Sequence, residues 1–312
     1  MSDIKLFRYS TIGANELAGK AALIEKQIQQ LIESRMDAFL GVRFLASEYS
    51  TGKTHKGRID SLGLDENGCP VIIEYKRHTN ENVINQGLFY LDWLLDHQAE
   101  FRWLVMEKLG KDVADKIEWS GTRLMCIAAD FTRYDQHAVA QINRNIELIR
   151  YKLFADDLLL LELVNSSTGE ASTEFSEVIA AAKAKPAANA AKGDKTFAEQ
   201  VADSSPALLA LYEQLRAHIL AQGEDVTEKP LKLYAAFRRL RNFVCATLYA
   251  KQDPHVRLWV KLDPMTVTME EGFCRDVTSI GHWGTGDVEV FVRDQGSLGK
   301  ARLLIDRAYQ EN

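Results

Sequence analysis

The chain has 312 residues, of which 46% are hydrophobic and 26% are charged, and its formal net charge is −6. This length suffices for about two domains, and the composition is that of a soluble globular protein rather than a collagen-like, mucin-like or disordered one. The sequence contains neither a membrane-length apolar run nor the apolar core of a secretory signal, so we expect a cytoplasmic protein that does not bind membranes. The acidic balance argues weakly against a protein that coats nucleic acid through bulk charge, but it is compatible with a carboxylate-rich active site.

The segment from 166 to 203 differs in composition from the rest of the chain. It is rich in Ser, Thr, Ala and Lys, and Pro186 and Gly193 interrupt the alanine-rich run at its centre. A helix there would have no apolar stripe to dock, so we expect an exposed, partly helical linker. The sequence therefore predicts an N-terminal domain of residues 1–165 and an accessory domain of residues 204–312, whose role it leaves open.

The N-terminal domain is predicted to contain both helices and strands. Apolar residues recur at helical spacing from Ala14 to about Phe39, and three strand-like runs follow at Arg43–Tyr49, Gly57–Leu64 and Val71–Lys76. The residues Asp65–Gly68, between the last two strands, are typical of a hairpin turn. Further elements are predicted as helices at 82–95, 101–109 and 137–142 and as strands at 123–128, 146–153 and 158–164. This order predicts an α/β fold in which helices flank a mixed sheet.

The C-terminal domain is predicted to be a smaller α+β fold. Helices are expected at 207–221 and 298–309, with strands at 231–237, 243–250, 256–262 and 288–292, an order that fits an antiparallel meander. This half resembles an uncharacterised small domain that follows nuclease-like domains. A basic cluster with interleaved aromatic residues is compatible with phosphate binding, although a solvated face is the simpler interpretation. The members of this cluster are Lys229, Lys232, Arg238, Arg239 and Arg241.

Three charged residues converge at one end of the predicted hairpin. Asp60 lies on its first strand, and Glu74 and Lys76 occupy alternate positions on its second strand, so both point to the same face. The continuous apolar run Val71–Ile73 predicts that this strand is buried on both faces. Burying charge there is costly unless a metal ion or a substrate compensates. The alternative is a solvated hairpin face on which Lys76 pairs with the carboxylates.

This arrangement resembles the PD-(D/E)xK nuclease superfamily, and more closely its RecB-like and mismatch-endonuclease-like branches. Asp60 is similar to the first acid of the motif, and Glu74-Tyr75-Lys76 is similar to its E-x-K element. The one departure is that no proline precedes Asp60. The resemblance covers about residues 10–165 and implies a restriction-endonuclease-like mixed sheet flanked by helices.

Two further motifs belong to the resemblance. Those branches carry Gln-x-x-x-Tyr on the helix after the E-x-K strand, and this chain has Gln86 and Tyr90 at that spacing, on one helical face. The resemblance implies that both residues orient the active-site lysine and a backbone phosphate. Several of these nucleases also have a glutamate on the first helix, for which Glu25 is our choice and Glu33 the alternative. Glu25 could instead be an exposed helix residue without a role.

The resemblance implies a Mg²⁺ site in which Mn²⁺ is a substitute. Asp60, Glu74 and the carbonyl oxygen of Tyr75 would be its ligands, since Mg²⁺ prefers hard oxygen atoms. Lys76 would position or deprotonate the attacking water, or offset charge on the phosphate. Basic residues around the site would bind substrate phosphates. These are Lys53, His55, Lys56, Arg58 and Arg77.

The sequence thus predicts a metal-dependent endonuclease that hydrolyses phosphodiester bonds and whose substrate and partner is DNA. A second hypothesis, from a different class, is a non-catalytic nucleic-acid-binding or protein-binding module that retains the nuclease fold. A third is hydrolysis of a phosphodiester outside nucleic acids. The sequence leaves open whether the protein is a monomer or a homodimer.

Overall fold

The structure is a computed structural model that describes residues 4–52, 56–77, 82–155, 157–167 and 194–312. The chain divides into two compact units, Met1–Gly169 and Glu170–Asn312. The centre of the predicted linker, residues 180–193, lies outside the described residues, and the linker remains a prediction.

The first unit is built on a mixed sheet. Its described strands are β1 (Leu6–Ser10), β2 (Gly13–Leu17), β3 (Gly19–Lys20), β4 (Val42–Ser50), β5 (Arg58–Asp65), β6 (Pro70–Lys76), β7 (Arg123–Ala128), β8 (Ile146–Phe154) and β9 (Leu158–Ser167). The main sheet has the order β3-β8-β7-β6-β5-β4, with β9 also paired to β8. Strands β4, β5 and β6 pair antiparallel, whereas β6, β7 and β8 pair parallel. The predicted α/β class with a mixed sheet is therefore confirmed.

Helices cover this sheet. Those described are α1 (Glu25–Glu33), α2 (Met36–Leu40), α3 (Asn82–Asp96), α4 (Gln98–Leu109), α5 (Lys111–Ala114) and α6 (Arg133–Ala140). One apolar core joins the sheet to α3 and α4, and it includes Leu62 and Ile72 from the strands and Leu91, Trp93 and Phe101 from the helices. This core fixes the strands that carry the candidate site.

The prediction of one helix from Ala14 to about Phe39 is wrong at its start and in its continuity. Residues Leu6–Ser10 and Gly13–Leu17 form a separate hairpin, and α1 begins only at Glu25. The apolar residues before Glu25 match a helical spacing, but Gly13 and Gly19 in the same stretch disfavour a helix. Arg35, with φ of −146°, then separates α1 from α2.

The turn between β5 and β6 sets the register of the two strands. Oδ1 of Asp65 accepts hydrogen bonds from the backbone N–H groups of Asn67 and Cys69, both at 2.8 Å. Gly68 has φ of +76°, a conformation that glycine adopts without steric cost. The buried Asp65 also pairs with the guanidinium of Arg123 on β7. In the resulting register, Ser61 lies opposite Ile73.

The second unit is an antiparallel sheet packed against helices. Its described strands are β10 (Thr227–Pro230), β11 (Ala235–Arg238), β12 (Asn242–Tyr249), β13 (His255–Val260), β14 (Cys274–Asp276) and β15 (Val288–Val292), and its described helices are α7 (Phe197–Asp203), α8 (Pro206–Leu220) and α9 (Gln295–Glu311). The sheet order is β10-β11-β12-β13-β15-β14. Helix α7 lies in the range predicted as linker, yet Phe197 and Val201 are buried in the core of this unit. The single strand expected at 231–237 is replaced by a turn and β11.

Candidate functional site

Asp60 and Glu74 lie at the point where β5 and β6 stop pairing. The backbone N–H of Asp60 donates a hydrogen bond to Oε1 of Glu74 at 3.2 Å, and the backbone N–H of Tyr75 donates to Oδ2 of Asp60 at 3.0 Å. Each carboxylate is therefore held by the backbone of the opposite strand. The structure therefore brings together the two acids that the sequence analysis predicts to converge.

Burial distinguishes this acidic pair from a solvated hairpin face. Glu74 has no exposed surface, and its Oε2 has no hydrogen-bond partner among the described residues. Burial, and then the charge of Asp60, raises the pKa of Glu74 to about 9. Burial also raises the pKa of Asp60, although the N–H of Tyr75 and the charge of Lys76 oppose this shift. A buried carboxylate with an unpartnered oxygen needs a proton or a cation.

Lys76 and Glu25 meet beside the pair. Nζ of Lys76 lies 3.5 Å from Oε2 of Glu25, and the backbone N–H of Arg77 donates to Oε1 of Glu25 at 3.5 Å. The Lys76 side chain is only 13% exposed, whereas that of Glu25 is 50% exposed. The structure thus brings the preferred first-helix acid to the end of β6, next to the lysine.

Glu33, the alternative first-helix acid, has a different place. Its Oε1 accepts hydrogen bonds from the hydroxyl of Ser61 at 2.7 Å and from Nε2 of Gln29 at 2.9 Å. Gln29 is buried and also donates to the carbonyl oxygen of Asp60 at 2.8 Å. Glu33 and Gln29 thus form a polar network that joins α1 to the strand carrying Asp60.

Tyr90 contacts the start of β5, and Gln86 contacts Tyr90. Nε2 of Gln86 lies 3.4 Å from the hydroxyl of Tyr90, and that hydroxyl accepts a hydrogen bond from the backbone N–H of Arg58 at 3.1 Å. The Tyr90 ring lies so close to Gly57 that a Cβ added there would be 2.4 Å from the ring. The two residues form the expected pair on α3, and through Tyr90 this pair fixes the backbone next to Arg58.

Glu48 on β4 is a site residue that the sequence analysis does not identify. The pairs on either side of it, Ser47 with Ser61 and Tyr49 with Ile59, place Glu48 opposite Asp60. Its φ of +54° is left-handed, which is rare for a residue with a side chain and costs roughly 1–3 kcal/mol. Its negative charge contributes to the raised pKa of both Asp60 and Glu74.

Two cations bind the Glu48 carboxylate. Nζ of Lys26 lies 2.9 Å from Oε1, and Nε of Arg58 lies 2.6 Å from Oε2. Hydrogen bonding to Lys26 is the main cause that lowers the pKa of Glu48. Side chains of consecutive strand residues normally point to opposite faces, yet both Ser47 and Glu48 reach residues of α1. The left-handed backbone at Glu48 accounts for this redirection.

The donor atoms at this place fit a magnesium ion. Asp60 and Glu74 present two carboxylates, one of which has a buried, unpartnered oxygen. Mg²⁺ is commonly held by one or two carboxylates and completes its shell with water and substrate phosphate. In the part of the chain that the structure describes, no group of three or more Asp, Glu, His or Cys side chains forms a ready-made cage. Two protein carboxylates suit a cation that keeps much of its water, as Mg²⁺ does.

The basic residues predicted to bind phosphates are only partly described. Lys53 and His55 lie outside the described residues, while Lys56, Arg58 and Arg77 are exposed. In the second unit, two of the five members of the basic cluster are paired or buried. Arg239 pairs with Asp225 at 2.6 Å and stacks on Tyr309, and Lys229 is buried.

In comparisons with known proteins, part of the chain matches a family of unknown function, and nearly the whole chain aligns with an uncharacterised relative. Residues 197–312 match a family model described as "Domain of unknown function (DUF5655)". The chain is 27% identical over 321 residues to an uncharacterized protein of Haemophilus influenzae, in an alignment that covers 99% of this chain and all of the relative. In the described parts of both units, no helix is long and apolar enough to cross a membrane.

Two solved structures also match part of the chain. A repair endonuclease from Pyrococcus abyssi is 18% identical, with a TM-score of 0.29, over 43% of this chain and 49% of that chain. The EndoMS–dsDNA2 complex matches at 20% identity and a TM-score of 0.28, over 42% of this chain and 47% of that chain. This chain thus spans about half the length of each of these two proteins.

Proposed function

We propose that the first unit is a divalent-metal-dependent nuclease that hydrolyses phosphodiester bonds of DNA. The observation that carries this proposal is the state of Glu74, a carboxylate without exposed surface whose Oε2 has no described partner. It lies beside a second carboxylate, Asp60, and two residues before Lys76 on the same strand. In a purely structural role, this buried oxygen would have to be compensated by a proton, whereas a bound cation would compensate the ionised carboxylate.

Asp60, Glu74 and the carbonyl oxygen of Tyr75 would hold Mg²⁺, or Mn²⁺ in its place. When bound, such an ion neutralises charge on the phosphate and makes a water molecule more acidic. The protein contributes the fixed positions of the ligands, because the N–H of Tyr75 holds Asp60 and the N–H of Asp60 holds Glu74. Preorganised ligands avoid reorganisation during the reaction.

Lys76 would act on the water or on the phosphate. Its side chain is mostly buried, and Glu25 at 3.5 Å restrains its ammonium group. An ammonium at this place donates a hydrogen bond to the attacking water and offsets the charge that develops on the phosphate oxygens. Glu25 serves to orient Lys76. The exposed Lys56, Arg58 and Arg77 would bind neighbouring phosphates of the strand.

Cleavage assays with Glu74→Gln test the proposal. We expect the unchanged protein to cut at least one of a panel of branched, single-stranded and duplex DNA substrates in Mg²⁺ or Mn²⁺, with RNA counterparts as the comparison. Glu74→Gln should bind DNA but lose cleavage at least a hundredfold, roughly the contribution of a catalytic group. Glu162→Gln changes the net charge equally and keeps activity, since Glu162 pairs with Arg150 on β8.

Two outcomes contradict the proposal. Equal cleavage by the unchanged protein and by purified Glu74→Gln would remove the nuclease assignment. Binding without any cleavage in either metal would favour the alternative of a non-catalytic DNA-binding module.

A further inference from the structure

Glu48 bridges two cations that belong to different elements of the first unit. One of its carboxylate oxygens contacts Lys26 on α1 at 2.9 Å, and the other contacts Arg58 on β5 at 2.6 Å. The side chains of Lys26 and Arg58 are 42% and 69% exposed, so both are accessible from solvent. Two cations that share the two oxygens of one anion form the arrangement in which phosphate is commonly bound.

Lys26 has a second partner besides Glu48, and the backbone that carries Arg58 is fixed as well. Nζ of Lys26 donates to Oε1 of Gln29 at 3.2 Å, and Gln29 is itself buried and bonded to the carbonyl oxygen of Asp60. The backbone N–H of Arg58 donates to the Tyr90 hydroxyl. An incoming anion that replaced Glu48 would therefore meet an ammonium that Gln29 keeps in place and a guanidinium that extends from a fixed backbone position.

Lys26 and Arg58 lie near the acidic pair, Asp60 and Glu74. Glu48 lies opposite Asp60 in the register of β4 and β5, and Arg58 lies two residues before Asp60 on β5. Strand residues two apart are separated by roughly 7 Å along the strand, so Arg58 and the acidic pair are near enough to contact neighbouring phosphates of one bound DNA strand. A DNA strand with one phosphate at Asp60 and Glu74 thus has a neighbouring phosphate near Lys26 and Arg58.

We propose that Lys26 and Arg58 form a binding site for one backbone phosphate of DNA, and that the Glu48 carboxylate occupies this site until the phosphate displaces it. The inference rests on the proposed function, because it concerns the substrate of the same site. Glu48 then acts as a competitor that weakens the binding of isolated anions. A DNA strand displaces it because several other phosphates contribute to binding at the same time.

Removal of the Glu48 charge provides the test. We compare Glu48→Gln with Glu162→Gln, because the two changes are equal in charge and the two side chains are 30% and 29% exposed. Binding of a fluorescently labelled DNA duplex is followed by anisotropy in Ca²⁺, so that cleavage is not required. Glu48→Gln should bind the duplex roughly two- to tenfold more tightly than the unchanged protein, from the loss of two competing ion pairs. Glu162→Gln should bind like the unchanged protein.

A second set of variants tests the cations without changing Glu48. Lys26→Met and Arg58→Met should each reduce the slope of log affinity against log salt by about one, as expected for the loss of one phosphate contact. When Lys26→Met and Arg58→Met are combined, the further change Glu48→Gln should no longer tighten DNA binding. Circular dichroism of each variant confirms that it is folded, and these two variants test the site even if Glu48→Gln does not fold.

The results separate this inference from the proposed function. Equal affinity of Glu48→Gln and Glu162→Gln would overturn the inference even if the protein cleaves DNA. The inference would also fail if Glu48→Gln still tightened DNA binding after both cations had been replaced, or if the protein bound no DNA. Tighter binding by Glu48→Gln in a protein that cleaves nothing would support the phosphate site while the nuclease proposal fails.

Discussion

The carboxylate of Glu74 accepts a hydrogen bond from the backbone N–H of Asp60 at 3.2 Å, across two strands that no longer pair at this point. The bond takes the place of a regular backbone bond of the ladder. It fixes Oε1 of Glu74 and leaves Oε2 buried and without a described partner. The pair is therefore arranged by the protein before any cation binds.

The first prediction concerns stability against pH in the metal-free protein. Because the folded state raises the pKa of Glu74 to about 9 from its ordinary value of 4.5, folding favours the protonated acid. The contribution of Glu74 to the free energy of unfolding should therefore be highest below about pH 4.5 and should fall as pH rises towards 9. Urea unfolding in EDTA at several pH values measures this slope.

Glu74→Gln is the informative variant for this slope, because its amide cannot ionise. We expect it to show a smaller loss of stability between pH 5 and pH 9, whereas Glu162→Gln should keep the slope of the unchanged protein. Saturating Mg²⁺ should also reduce the loss, since the cation replaces the proton at Glu74. A parallel pH dependence in Glu74→Gln would show that another group controls the slope.

The second prediction separates substrate binding from chemistry at Lys76. Lys76→Met keeps most of the unbranched stem but removes the ammonium, so the rate of cleavage in Mg²⁺ should fall at least tenfold. Affinity for DNA in Ca²⁺ should change much less. Ca²⁺ should support binding only, because its looser and higher-coordinate shell does not fix the attacking water. Full activity of Lys76→Met, or robust cleavage in EDTA, would speak against this mechanism.

The third prediction assigns different roles to the two glutamates of α1. Glu25 contacts Lys76 from a half-exposed position, so Glu25→Gln should cost less than about 1 kcal/mol of stability but lower the rate of cleavage. Glu33 accepts hydrogen bonds from Ser61 and Gln29 through one oxygen, so Glu33→Met, which removes this acceptor, should cost about 1–3 kcal/mol of stability. Chemical unfolding and single-turnover rates on the same preparations distinguish the two. The reverse pattern would make Glu33 the first-helix acid of the site.

A fourth prediction concerns the space beside Tyr90. Gly57→Ala would place a methyl group 2.4 Å from the Tyr90 ring, which must then move away from the N–H of Arg58. We expect a loss of roughly 1–3 kcal/mol in the free energy of unfolding, as for other overpacked sites. Gly13→Ala is the matched control, because a Cβ there meets no described atom within 4 Å. Equal stability of both variants would mean that the Tyr90 ring can move aside without lowering the free energy of unfolding.

The strands that carry the acidic pair were predictable because their patterns are strong. The apolar run Val71–Ile73 predicts burial on both faces, and these residues have no exposed surface in the structure. The turn at Asp65–Gly68 was predictable from its residue types, and Gly68 has the positive φ that such a turn requires. The roles of Asp60 and Glu74 in metal binding remain predictions, since they depend on groups that bind from outside the chain.

Glu48 could not be found from the sequence for a physical reason. It is one polar residue on a strand, and alternation alone directs its side chain away from α1. Its contact with Lys26 depends on the left-handed backbone at Glu48, which no residue type at this position indicates. The start of α1 was missed in a similar way, because the residues before Glu25 match a helical pattern but fold as a hairpin.

The length of the turn after β5 determines which side chains face each other at the other end of the hairpin. With Ser61 opposite Ile73 as the last backbone pair, the register sets Asp60 opposite Glu74 one residue further along. Lengthening or shortening this turn by one residue would shift the partner strand by one place and turn every side chain to the other face. Ile73 or Tyr75 would then stand opposite Asp60. Such a protein would contain every acidic residue of the present chain and the same strands, but the two carboxylates would lie on opposite sides of the sheet.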